Sequence, residues 1–162
     1  MFWRKVDPNE RREVVNLLGQ LSLASKEIDT AVDRMKMQFI GLGVEVTPQV
    51  FMATVTDARQ TVESVRADTT KPGFWPRLRD ETGAKRSAET RLLREELFKH
   101  QLWRLKLYGD MVASFTEGRE DETLARESNQ ATKAYETMVM QMSSAMIKLG
   151  KHYKISVWEY IQ

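Results

Sequence analysis

Cysteine is absent from this 162-residue chain. That removes disulfides, thiol nucleophiles and thiolate metal sites together, and it fits a reducing compartment such as the cytoplasm. Histidine is nearly absent, with only His100 and His152. A di-iron bundle needs Glu-x-x-His pairs on two helices, yet Leu97 and Leu149 stand three residues before the two histidines. Glu96 and His100 make an i, i+4 pair of the kind common on helix surfaces. No metal, cofactor or catalytic residue is therefore expected. Long apolar runs are missing as well; none approaches the ~18 residues of a membrane span. The opening Met1-Phe2-Trp3-Arg4-Lys5 turns charged too soon for a secretory leader, so a cytoplasmic protein without a transmembrane segment is expected. A net charge of +2 implies no dominant nucleic-acid field. Gly41-Leu42-Gly43 resembles the start of a dinucleotide loop, but Val46 occupies the third glycine's place and no convincing strand precedes it.

What the chain does have is an apolar residue at alternating steps of three and four through most of its length. One register reads Val14, Leu17, Leu21, Ala24, Ile28, Ala31, Met35, and another reads Leu124, Ala131, Tyr135, Met138, Met142, Ala145, Leu149. Such spacing keeps one stripe of a helix against a partner helix. Asp7-Pro8, with Glu10 in the capping-box place, starts a first helix, and Gly41 and Gly43 stop it. The span is about 33 residues, roughly 50 Å. Thr47-Pro48 repeats the start signal for a second helix ending near Asp68. Residues 69–83 hold Pro72, Gly73, Pro76 and Gly83 and read as a long connection. A third helix is predicted over 84–115. After a short turn at Gly118, a fourth follows over 121–149, with Gly150 as its cap. The fold class is all-α, an antiparallel four-helix bundle in a single domain over 1–162, with an aromatic N-terminal arm at 1–6 and a C-terminal segment at 151–162. In that segment Tyr153, Ile155 and Val157 alternate with Lys154, Ser156 and Trp158. Residues 153–158 and 44–46 are therefore candidates for a short strand pair.

One face of the third helix breaks the apolar rule. Leu97, Gln101, Arg104, Tyr108 and Met111 keep the three-four rhythm, but the middle of the stripe is polar. On the fourth helix Glu127 falls between Leu124 and Ala131. In an antiparallel hairpin it lies within arginine reach of Arg104, and a buried guanidinium calls for a partner. Gln101, Arg104, Tyr108 and Glu127 are thus expected to form a buried polar network. Such a layer fixes helix register, as buried polar residues do in coiled coils; a functional pocket and an Arg104 snorkelling to solvent are the other readings.

Two further features bear on partners. Residues 71–106 carry ten Lys and Arg against five Asp and Glu, a local charge of +5, and the 71–79 loop interleaves Phe74 and Trp75 with Arg77 and Arg79. That pattern suits nucleic-acid backbones and bases, an acidic protein or anionic membrane surface, or rings tucked under the bundle with solvated basic groups. Trp103, Trp158 and Tyr160 are large aromatics of the kind that mark interfaces. Met37 and Met140 lie off the main stripes, where methionine suits adaptable contacts. Together these imply a non-enzymatic protein that binds another protein or itself, most simply as a homodimer, with Phe74, Trp75, Arg77, Arg79, Trp103, Trp158 and Tyr160 as contact candidates. Nucleic-acid binding through 71–106 is the runner-up, and a bundle enzyme or ligand binder with a polar pocket around Arg104 is third.

Overall fold

A computed structural model describes residues 5–39, 47–75, 96–119 and 121–161. Four helices dominate it: α1 (Pro8–Phe39), α2 (Pro48–Thr69), α3 (Leu97–Thr116) and α4 (Glu122–His152). A single 3-10 turn follows at Val157–Glu159. Of the described residues, 84% are helical and none is in a strand. The expected all-α bundle is what forms. Residues 76–95, with Arg77, Arg79 and the predicted first turns of the third helix, lie outside the described residues, as do 44–46 and the glycines at 41 and 43.

The starts are set locally. The Asp7 carboxylate accepts the Asn9 N–H at 2.9 Å, Thr47 Oγ1 accepts the Val50 N–H at 3.3 Å, and Asp121 accepts the Leu124 N–H at 3.1 Å. Each satisfies an amide that the first helical turn leaves open, and caps of this type contribute about 1 kcal/mol apiece. Gly118 takes φ +70° in the turn between α3 and α4, a conformation that costs a glycine little.

Packing runs in a ring. α1 lies on α2, α2 on α3 and α3 on α4, while α4 closes on α1 through a much thinner contact. Neighbours are antiparallel. Tyr153, just past α4, bonds Glu10 at the start of α1, whereas Tyr135 farther up α4 bonds Asp29 farther down α1. Gly109, late in α3, faces Met52 and Val55, early in α2.

The apolar core is in two parts. One gathers Val14, Leu17, Leu18 and Leu21 of α1, Met138, Met142, Met146 and Leu149 of α4, and the tail residues Tyr153, Ile155 and Tyr160. The other gathers Ile28, Val32 and Met35 of α1, the stripe Phe51, Val55, Ala58, Val62, Val65 of α2, and Phe98, Leu105 and Val112 of α3. Each fully buried aliphatic or aromatic side chain contributes roughly 1.5–3 kcal/mol before entropy is counted.

The C-terminal segment corrects the expectation of a strand. Residues 153–158 form a turn and the start of the 3-10 turn instead. The alternation is real in burial, with Tyr153 and Ile155 inside and Lys154, Ser156 and Trp158 outside. Its template, however, is the end of the bundle rather than a neighbouring strand. The Ile155 N–H bonds the Gly150 carbonyl at 2.8 Å, folding the chain back, and Lys154 takes φ +56° to make the reversal. Gly150 is not the terminal cap either, since α4 runs two residues past it. It is buried where a Cβ would sit 3.4 Å from the Ile155 carbonyl oxygen and 3.6 Å from Leu18 Cδ1, so the smallest residue lets tail and α1 approach.

Candidate interaction face and the polar waist beneath it

The tail is latched by polar contacts as well as by its buried rings. The Arg11 guanidinium donates to the Glu159 carboxylate at 2.7 Å and to the Lys154 carbonyl at 3.1 Å. The other Glu159 oxygen accepts the Ser156 N–H at 2.7 Å. These hydrogen bonds, chiefly that from Arg11, hold the Glu159 carboxyl below its usual range. Tyr153 donates to Glu10 at 2.8 Å. Tyr160 is only 6% exposed, so it is an anchor of the tail and not the contact residue expected. Burial pushes its phenol up.

This latch holds Trp158 outward. The indole is 87% exposed, the most exposed large apolar side chain among the described residues. Ile161 in the same tail and Ile147 on α4 are also exposed. Val157, Tyr160, Ile161 and Ile147 border an open groove of about 530 Å³ between α1 and α4, where the ring of helices is most thinly closed. The α4 wall is apolar, with Met142, Met146 and Ile147. The α1 wall is polar, with Ser22, Ser25, Lys26, Asp29, Thr30 and Asp33.

Asp29 joins this groove to the interior. Its carboxylate accepts the Tyr135 hydroxyl at 3.3 Å. Loss of water around it, with the like charge of Asp33, pushes the Asp29 carboxyl up; the Tyr135 hydrogen bond and the charges of Lys36 and Arg104 pull the other way without cancelling. Burial raises the Tyr135 phenol far more, and the charge of Asp29 adds to it. Behind Tyr135 sits Arg104, 3% exposed. Its guanidinium lies 5.1 Å from the Tyr135 ring centroid and 5.4 Å from that of Tyr108. Its Nε donates to the Tyr108 hydroxyl at 3.2 Å, which shares a second hydrogen bond of 3.2 Å with Thr132. Burial pushes the Tyr108 phenol up, but the bonds to Thr132 and Arg104 and the guanidinium charge outweigh it and bring the phenol below its usual value. Gln101, one turn earlier, is fully buried, and neither Oε1 nor Nε2 has a hydrogen-bond partner.

A buried polar layer at Gln101, Arg104 and Tyr108 therefore exists, but its expected fourth member is elsewhere. Glu127 is exposed, and Ser128 is the buried residue on that turn of α4. The reason is helical phase. Residues 127 and 128 lie four and three before Ala131, and both fit a three-four rhythm; α4 turns Ser128 inward and leaves the carboxylate in water. Arg104 is held by two aromatic faces and a phenol oxygen instead of an ion pair, with desolvated cation–π contacts offsetting part of its burial cost. Thr132, Tyr135 and Asp29 complete the layer. The sequence hinted at them through Tyr135 on the apolar stripe and Asp29 beside Ile28, but the hydrogen bond joins residues 106 apart.

The other candidates separate clearly. Phe74 and Trp75 meet edge-on with centroids 5.6 Å apart and pack against the first core, and the Trp75 indole N–H donates to the Thr69 carbonyl at 2.8 Å. These rings close the end of α2. Trp103 is 41% exposed on α3, and Met37 and Met140 are exposed. No three metal-ligating side chains come together among the described residues, and no described helix is long and apolar enough to cross a membrane. No family model, curated protein or solved structure matches the chain, which leaves shape and chemistry as the guides to what it does.

Proposed function

We propose that this chain is a non-enzymatic protein-binding module whose contact face is the C-terminal turn with the adjoining α1–α4 groove. One observation carries the reading: Trp158 is almost fully exposed on a turn that is itself anchored by Tyr153, Ile155, Tyr160 and the Arg11–Glu159 pair. Exposing an indole to water is unfavourable, whereas a rigidly presented tryptophan is well suited to be a binding anchor. Little conformational entropy is lost when such a side chain is covered, because its backbone is already fixed. Nucleic-acid binding through 71–106 is the weaker reading, since Phe74 and Trp75, the rings it needs for stacking, pack on the core.

Affinity capture from the native host with wild-type protein, Trp158→Ala and Trp103→Ala tests this. The expected result is a protein held by wild type and Trp103→Ala and lost with Trp158→Ala. Identical capture profiles for wild type and Trp158→Ala would remove the basis of the reading.

A further inference from the structure

The knob and the hole adjoin one another at the C-terminal turn of the same molecule. Trp158 projects from the turn whose neighbours Val157, Tyr160 and Ile161 form one edge of the α1–α4 groove. A surface that carries both members of a complementary pair meets the condition for a two-fold, isologous interface, in which one patch is used twice. We propose that the occupant of the groove is a second copy of this chain, with each copy's Trp158 seated in the other's groove. This deepens the protein-binding reading and rests on it.

Three features make the fit specific. The groove volume of about 530 Å³ falls in the range of pockets that enclose a compact, mostly apolar group. Its α4 wall offers Met142, Met146 and Ile147, and methionine adapts its shape to an aromatic ring and makes favourable sulfur–ring contacts. Its α1 wall carries Lys26 at one end and Asp33 at the other, about 10 Å apart along the helix at 1.5 Å per residue. A two-fold axis across the groove runs the two α1 walls antiparallel, so Lys26 of each copy is brought toward the acidic end of the other. A wall of mixed sign is self-complementary in that arrangement, whereas a single-sign wall repels its own copy.

A complementation experiment tests the pairing. Trp158→Ala removes the knob and keeps the hole. Ser143→Arg fills the exposed mouth of the groove and keeps the knob. Neither residue is in the core, and circular dichroism checks that both variants fold. Sedimentation equilibrium of wild type at concentrations up to about 100 µM, where a dissociation constant of that order is visible, should show a dimer. Each variant alone should dissociate at least tenfold more readily. An equimolar mixture of the two should recover heterodimer, because one knob then meets one open hole. A monomeric wild type, variants that dimerise as wild type does, or a mixture no tighter than its components would each overturn the proposal. If wild type is monomeric while Trp158-dependent capture of a different protein persists, self-pairing falls and the protein-binding reading stands. If both fail, the face itself is misassigned.

Discussion

The sealed end of the bundle and its polar waist solve the problem of burial in opposite ways. At the sealed end, α1, α4 and the folded-back tail fill the space with Leu17, Leu18, Leu149 and Tyr153, and the polar groups of the tail are satisfied at the rim by Arg11, Glu10 and Glu159. At the waist a guanidinium and a carboxamide are buried, the first held by aromatic faces and the second by no hydrogen bond. An apolar end supplies stability but little positional information, since hydrophobic contacts tolerate sliding. A polar layer contributes little net free energy yet penalises every register that misplaces it.

The largest expected effect lies at the sealed end. Leu149→Ala removes a side chain that is 1% exposed between Leu18, the tail and α4's own methionines, where a cavity cannot easily collapse. It should lower unfolding stability by ~2–5 kcal/mol, read from urea or guanidinium denaturation midpoints. A loss below about 1 kcal/mol would mean that the tail and α1 close the gap and that this end is looser than its packing implies.

At the waist the sign should reverse. Arg104→Met keeps most of the volume and removes a buried guanidinium that makes no ion pair among the described residues, its charge reaching Asp29 only at longer range. Replacing a buried ion with a well-packed apolar residue is often neutral or stabilising by ~1–4 kcal/mol, so a rise in the denaturation midpoint is expected. The register cost should appear separately, as broadened or doubled amide resonances in the two-dimensional NMR spectrum. A marked fall in stability would show that the two cation–π contacts outweigh the desolvation of Arg104.

These two regions were unequally legible in the sequence. At the sealed end the stripes of α1 and α4 are legible in the apolar spacing, and the starts of α1 and α2 in Asp7-Pro8 and Thr47-Pro48, because capping and periodicity are local; the tail that closes this end is not, since the sequence suggests a strand there and a contact role for the buried Tyr160. The waist was read in part. Gln101, Arg104 and Tyr108 stand out as polar residues on an apolar rhythm, but the same rhythm points to Glu127 as the partner, which the structure leaves in water. A three-four spacing admits two neighbouring positions, and only the rotation of α4 against α3 selects Ser128. Asp29 and Tyr135 were missed as a pair because their bond depends on how closely α4 approaches α1. The tail shows the same limit: its alternating burial was legible, but the positive φ at Lys154 that turns it onto the bundle was not.

A smaller gain is expected from Gln101→Leu. A fully buried carboxamide without a partner costs its desolvation, typically ~1–3 kcal/mol, and leucine of similar size removes that cost. Thermal or chemical denaturation should show stabilisation within this range. Destabilisation would mean that the carboxamide is hydrogen-bonded in solution, through ordered water between Gln101 and the Arg104 layer.

The smallest effects should come from two carboxylates that belong one to each region and respond oppositely to acid. The Glu159 carboxyl is held below its ordinary value by Arg11 and the Ser156 amide. The folded state therefore binds its proton more weakly than the unfolded chain does, so its contribution is full above the ordinary carboxylate range and is lost as pH falls through the lowered folded value. The Asp29 carboxyl is pushed up, mainly by loss of water. The folded state binds its proton more tightly, so a penalty is present above the raised folded value and is relieved as pH falls toward the ordinary one. Glu159→Gln should consequently lower the melting temperature near neutral pH and have no effect in acid below the carboxylate range. Asp29→Asn should raise it near neutral pH and likewise have no effect in acid. Hydrogen exchange at the Ser156 amide separates the regions further, because acid should loosen that amide, even after correction for the intrinsic pH dependence of exchange, while leaving amides near Tyr135 protected. Parallel pH dependence of the two variants would show that one of the two carboxyls is shifted in the opposite direction, and that the two environments do not differ as described.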